Sequence, residues 1–149
     1  MSPPRKDSRH RAREAAVQVL YQWEVGGIEV AQAAATFFGQ QWPGDTPPPH
    51  EVRSFATDLA TETVAKLSAV DALIAETAER WRPERMAVLD RLILRMAVCE
   101  FLRGGGTPAP VIINEALELA RTFSTEDAVK FINGMLDGIR KKIETRKDS

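Results

Sequence analysis

The chain has 149 residues, the usual size of one domain. Apolar residues make up 44% of it, which is enough for a core and too many for a disordered chain. The formal net charge is only −1, but the charges are unevenly placed. Residues 1–23 carry five basic and two acidic side chains, residues 24–139 ten and seventeen, and residues 140–149 five and two. Basic ends therefore flank an acidic body.

Composition excludes several classes of protein. The single cysteine, Cys99, cannot form a disulfide within the chain, which fits a reducing compartment. Cys99, His10 and His50 show no zinc-ligand spacing, so we expect no metal or other cofactor. No apolar run approaches the ~20 residues of a membrane helix, and the first 13 residues lack the apolar core of a signal peptide. A cytoplasmic globular protein with no membrane partner is expected.

The apolar residues recur at three- and four-residue spacing, which predicts an all-α fold of about seven helices. The first helix is predicted to begin with Ser8 as its N-cap and to end at Gly26-Gly27. A second covers about 28–41, and the prolines of loop 43–49 end it. The third runs from 50 to about 67. The residues predicted to be buried in the second helix are Ala31, Ala34, Ala35, Phe37 and Phe38.

The second half of the chain gives four more helices. The fourth covers about 70–81, and Pro83 disfavours helix just before it. The fifth, at about 86–98, is apolar over a wide arc, which indicates a central, buried helix. Gly104 to Gly106 then end it. They do not form a phosphate loop, because no strand precedes them and no Lys-Ser/Thr follows them.

A sixth helix is predicted after Pro110. Residues 124–127 have the N-cap pattern of a seventh helix, which is predicted to end at residues 140–142. These elements predict one domain with helical halves at about 8–80 and 84–143 and basic tails at 1–8 and 140–149.

The N-terminal segment holds the clearest candidates for a binding site. Its basic side chains are Arg5, Lys6, Arg9, His10, Arg11 and Arg13. Arginine suits phosphate because its planar fork donates two parallel hydrogen bonds, and it also stacks on bases. Such a segment either orders on RNA or remains a solvated tail, and the residues alone leave both alternatives open.

Two aromatic residues are candidates for stacking. Tyr21 lies about 120° from the apolar stripe of the first helix, so it can face a ligand. Phe131 follows Lys130 near the start of the last helix, and an aromatic beside a cation is how single-stranded bases are held. Taken alone, an aromatic residue at this position is more often a core residue than a stacking one. Glu115 and Glu118 share a helix face but suit capping or ion pairing, so no enzyme signature is found.

Four parts of the sequence resemble the NusB family of transcription antitermination factors. They are the opening helix (11–23), the central helix (87–91 and 94–101), the penultimate helix (111–123) and the closing motif (130–137). The likeness runs in order over nearly the whole chain and is weakest between residues 28 and 60.

The resemblance implies an all-α fold of two helical bundles and a function in transcription without catalysis or cofactor. It implies binding of boxA, a short single-stranded segment of nascent ribosomal RNA, together with NusE, a small-subunit ribosomal protein. That complex helps RNA polymerase pass terminators, with other Nus factors. Family members occur as monomers and as homodimers, and the sequence does not distinguish the two.

The resemblance also assigns residues to roles. It implies RNA contacts at Arg9, His10, Arg11, Arg13, Tyr21, Lys130 and Phe131. Asp127 lies close enough to modulate RNA affinity. Candidates for the NusE surface are Glu84, Asp90 and Arg91, and an acidic body suits a basic partner.

Two alternatives remain open at this point. NusB-like domains also precede ribosomal RNA cytosine methyltransferases, which need an α/β domain with a Gly-rich cofactor loop and a catalytic cysteine. The chain ends at Ser149 without these features, so we expect no methyltransferase. The other alternative is a helical module that binds only proteins, with the basic ends as solvated tails.

Overall fold

A computed structural model describes residues 5–78, 81–104 and 106–147, with only the backbone described for residues 5–7. The predicted all-α class is confirmed, because these ranges contain seven α-helices and no strand. None of the helices in them is both long and apolar enough to cross a membrane. The helices are α1 (Arg5–Gly26), α2 (Val30–Thr36), α3 (His50–Ala65), α4 (Leu67–Thr77), α5 (Val88–Arg103), α6 (Ala109–Phe123) and α7 (Glu126–Lys147).

The helices form two compact units that divide between Ala65 and Lys66. In the first unit, α1 packs against α2 and α3. In the second, α5 packs against α4, α6 and α7. The sequence places the division later, between residues 80 and 84, whereas α4 belongs to the second unit because it packs on both α5 and α7.

Helix α1 supplies much of the core of the first unit. Ala12, Ala16, Val19 and Leu20, which lie on its predicted stripe, are all buried. The helix begins before the predicted N-cap, so Ser8 lies inside it and is buried. At the other end Gly27 has a φ of +66°, a left-handed conformation that glycine adopts without strain and that stops the helix as predicted.

The second predicted helix changes type partway along. Helix α2 passes into a π-helical segment, Phe37–Gln41. Both Phe37 and Phe38 are buried, and their ring centroids lie 5.1 Å apart in an edge-on arrangement. The predicted burial of Ala31 and Ala35 is wrong, because α2 turns a different face inward. Its buried residues are Val30, Ala33 and Ala34.

Helix α5 is the centre of the second unit, as its wide apolar arc predicts. Every residue from 91 to 100 is buried, including two arginines. Arg95 makes two hydrogen bonds to Asp71 of α4, from Nε to Oδ1 and from Nη2 to Oδ2, each of 2.9 Å. The helix stops at Gly104, which has a φ of +61°.

Helix α7 differs from the prediction at both ends. Its N-cap is Thr125 rather than Ser124, because the Thr125 hydroxyl accepts a hydrogen bond of 3.1 Å from the Ala128 amide. It continues to Lys147, so the predicted tail that begins at Arg140 is helical through that residue. Residues 1–4, 148 and 149 of the predicted tails, and Gly105, lie outside the described residues.

Candidate nucleic-acid interface

The basic residues of the N-terminal segment lie on the first turns of α1. Arg9 is exposed, while His10 and Arg11 are half-buried. His10 Nε2 lies 2.8 Å from Glu14 Oε1, one turn further along the same helix. The helix therefore fixes the spacing of these side chains, which an extended tail would not.

Two of these arginines are held by aromatic rings from other parts of the first unit. The Arg9 guanidinium carbon lies 4.2 Å from the ring centroid of Phe55, which is on α3. The Arg11 guanidinium carbon lies 4.8 Å from the ring of Trp42, just before the proline-rich loop. Neither guanidinium is paired with a carboxylate among the described side chains. A guanidinium stacked on a ring keeps its N–H donors in its own plane, where they can reach an anion.

Arg13 is placed differently from the other arginines of the segment. Its side chain is only 3% exposed, and its guanidinium carbon lies 5.2 Å from the ring of Phe55. Because Arg9 and Arg13 are one turn apart, both face α3, and Arg13 is the one covered by it. The structure therefore gives Arg13 a packing role between α1 and α3, and an RNA strand would not reach it without rearrangement.

Tyr21 lies on the exposed side of α1, as its angle from the apolar stripe predicts. Its side chain is 41% exposed, whereas Leu20 beside it is fully buried. An exposed tyrosine on a rigid helix offers one ring face for stacking without disturbing the core.

In the second unit, the predicted RNA residues lie on the first turns of α7. Asp127 and Lys130 are exposed, and Phe131 is 43% exposed. The core alternative for Phe131 is therefore wrong, because the inward positions of this helix are taken by Val129 and Ile132. One exposed face of α7 carries an acid, a base and an aromatic ring.

The predicted NusE residues lie around the turn between α4 and α5. Glu84 is exposed on a short 3₁₀ turn, Pro83–Arg85. Arg91 is only 8% exposed, and its Nη1 donates to the carbonyl oxygens of Pro83 at 2.6 Å and Met86 at 3.4 Å. Arg91 thus holds the turn that presents Glu84. Asp90 is half-buried in the first turn of α5.

Sequence reasoning missed the aromatic residues that hold the arginines, and it missed one arginine. Arg53, exposed on α3, lies with its guanidinium carbon 5.6 Å from the ring of Phe38. The rings of Phe38 and Trp42 are 5.7 Å apart. The signal was that aromatic residues flank the proline-rich loop on both sides, with Arg53 close by. No group of histidine, cysteine or acidic side chains among the described residues could hold a metal ion.

Comparisons with known proteins agree with the fold and the motifs. The sequence profile of the NusB family matches residues 10–141. The transcription antitermination protein NusB of Solibacter usitatus (strain Ellin6076) is 46% identical over 136 residues, which cover 91% of this chain and 90% of that protein. A T. maritima NusB structure has a TM-score of 0.79 and 32% identity, and the match covers 95% of this chain and 93% of that one.

A structure of the antitermination factors NusB and NusE in complex with dsRNA has the same fold. Its TM-score is 0.74 at 24% identity, over 91% of this chain and 98% of that one. The Solibacter relative is matched over most of its length and is named as an antitermination protein, which disfavours the methyltransferase alternative. The chain belongs to the NusB family of transcription antitermination proteins.

Proposed function

We propose that this protein binds single-stranded boxA RNA together with NusE in the cytoplasm, and so supports processive transcription of ribosomal RNA. The observation that carries the proposal is the pair Arg9 and Arg11. Each guanidinium is held against an aromatic ring and is paired with no carboxylate among the described side chains. RNA phosphates would satisfy these donors with charge-assisted hydrogen bonds.

The exposed aromatic rings supply the second part of the proposal. Tyr21 and Phe131 would each stack on a base, and Lys130 beside Phe131 would contact a phosphate. Asp127, one turn before Phe131, is exposed, and its negative charge opposes a nearby phosphate. It would therefore lower RNA affinity and set how far binding depends on NusE.

For NusE, the proposed surface is the turn before α5. Glu84 and Asp90 supply negative charge there, and Arg91 acts by holding the turn. A basic partner would be steered to this acidic surface. In support, the NusB chain solved with NusE and dsRNA shares this fold. RNA polymerase and other Nus factors would be engaged through the resulting complex.

Binding of a boxA-containing RNA, measured with and without NusE over a range of salt concentrations, tests the proposal. Four neutralised phosphates on a single strand predict a log–log slope of about −3. Arg11→Gln should lower RNA affinity about tenfold with unchanged helical circular dichroism, since one charge-assisted contact is lost. Arg121→Gln is the control, because Arg121 is exposed on α6 and already paired with Glu118 at 2.7 Å. If the protein bound no RNA even with NusE, it would be a protein-binding module instead.

A further inference from the structure

A cluster of three aromatic rings lies where α2 gives way to the proline-rich loop. It consists of Phe37 and Phe38 of the π-helical segment and Trp42 just after it. The Phe37 and Trp42 rings meet edge-on with their centroids 6.4 Å apart. A hydrogen bond of 3.3 Å from Gln22 Nε2 to Gln41 Oε1 links the segment to α1. Single turns of π-helix are rare and often occur at functional sites.

Two arginines from different helices lie on this one cluster. Arg11 of α1 lies over Trp42, and Arg53 of α3 lies over Phe38. Since the centroids of the Phe38 and Trp42 rings are 5.7 Å apart, the two guanidinium groups contact adjacent rings. Buried Phe38 gives Arg53 a fixed base, while the arginine itself is exposed. The cluster therefore carries two cations on neighbouring rings.

The arginines of this cluster differ from several in the second unit. Arg95, Arg121 and Arg146 each contact a carboxylate, at distances of 2.5 to 2.9 Å. Neither Arg11 nor Arg53 is paired with a carboxylate among the described side chains. A guanidinium that lies over a ring and has no acidic partner can donate its N–H groups to water or to a ligand. Phosphate oxygens fit this donor geometry.

We propose that Arg11 and Arg53, mounted on Trp42 and Phe38, form a phosphate-binding subsite that extends the RNA path beyond the N-terminal arginines. The inference rests on the proposed RNA-binding function, because it takes the anion to be the backbone of the same strand. It adds Arg53 as a contact residue, and it makes Trp42 a positioning residue that keeps the Arg11 fork in place.

Arg53→Gln tests the subsite with single-stranded boxA RNA and NusE present. Losing one phosphate contact should lower affinity about tenfold and make the log–log salt slope shallower by about 0.7. Arg53→Lys should keep the slope but bind more weakly than the unmodified protein, because lysine lacks the planar fork. Arg121→Gln, the matched control on α6, should change neither quantity. Unchanged affinity and slope in Arg53→Gln would overturn the inference.

Variants of Trp42 test the positioning role. Trp42→Leu removes the platform without changing any charge, so RNA affinity should fall several-fold, and Trp42→Phe should restore it. Equal affinity in both variants would contradict the positioning role. If Trp42→Leu fails to fold, Trp42→Met replaces it, since methionine fills the space with a flexible side chain that has no ring, and it should bind RNA as weakly.

The result with Arg11→Gln separates this inference from the proposed function. Weaker binding in Arg11→Gln with normal binding in Arg53→Gln would overturn the subsite and leave the function intact. Absence of RNA binding by the unmodified protein would overturn both.

Discussion

Two glycines one turn apart in α7 are in different surroundings. A Cβ added at Gly134 would meet nothing within 4 Å, whereas one at Gly138 would lie 3.0 Å from Cγ2 of Thr77 on α4. Gly134→Ala should therefore raise the free energy of unfolding by about 0.5–1 kcal/mol, the usual gain from alanine in a helix interior. Gly138→Ala gains the same helix propensity but must displace Thr77, so we expect a smaller gain or a loss. Denaturant unfolding of both variants measures this difference. Equal stabilisation would show that the Thr77 side chain moves aside at little cost in free energy.

Phe131 and Ile132 are neighbours in sequence with opposite environments. Phe131 is 43% exposed and Ile132 is fully buried. Ile132→Ala should lower the free energy of unfolding by about 2–5 kcal/mol, whereas Phe131→Ala should lower it by less than about 1 kcal/mol. Only Phe131→Ala should weaken RNA binding while the fold is kept, by about 1–3 kcal/mol for one stacked base. A loss of stability in Phe131→Ala as large as that in Ile132→Ala would contradict the exposed position of Phe131.

Side-chain environments could be predicted from the sequence only in part. Helical angle places Tyr21 correctly on the exposed side of α1, because it depends on one helix alone. The burial of Arg13 follows from Phe55, which is 42 positions later in the chain and reaches it only because α3 packs on α1. Periodicity shows which side of a helix is apolar, but it does not show which distant ring covers a charged residue.

At the scale of elements, the contact between α4 and α5 includes a charged pair. Arg95 is buried and makes two hydrogen bonds to Asp71, which is partly exposed. Asp71→Asn should lower the free energy of unfolding by about 1.5–3 kcal/mol, because it leaves a buried guanidinium without its anion. Glu118→Gln breaks the exposed pair with Arg121 within α6 and should cost less than about 0.5 kcal/mol. Equal costs would show that water reaches Arg95.

Helix boundaries were predictable where a glycine or proline enforces them. Helices end at Gly27, at Gly104 and at the prolines of loop 43–49, as the sequence indicates. The π-helical segment Phe37–Gln41 was not predictable, since its composition is compatible with an ordinary helix. The continuation of α7 to Lys147 was missed because its basic residues read as a solvated tail.

The C-terminal basic run is balanced by two acids, Asp137 one turn earlier in α7 and Glu76 on α4, which is far from it in the sequence. Hydrogen bonds from Arg140 and Lys141 lower the pKa of Asp137 below its ordinary value. Arg146 pairs with Glu76 of α4, and Lys142 donates to the backbone carbonyl of the same residue. These pairs explain why the end of α7 is helical, and they leave less charge there for an anion. By contrast, none of the exposed or half-buried arginines of the first unit is paired with an acid among the described side chains.

For the whole molecule, the proposed RNA contacts fall in both units: Arg11 in the first, and Lys130 and Phe131 in the second. If one strand contacts both, Arg11→Gln and Phe131→Ala should weaken boxA binding independently, and their free-energy costs should add. Shortening the RNA stepwise from each end should then abolish the effect of one variant at a time, because each end loses its own contact.

Competition titrations with the two nested RNA series, NusE present throughout, measure this prediction. The double variant supplies the additivity test, and Arg121→Gln controls for the loss of a surface charge outside the proposed site. One series should reach a length at which Arg11→Gln binds as well as the unmodified protein while Phe131→Ala still does not, and the other series the reverse. If both effects persisted down to the shortest RNA that binds, Arg11 and Phe131 would act on the same nucleotides rather than on opposite ends of the RNA.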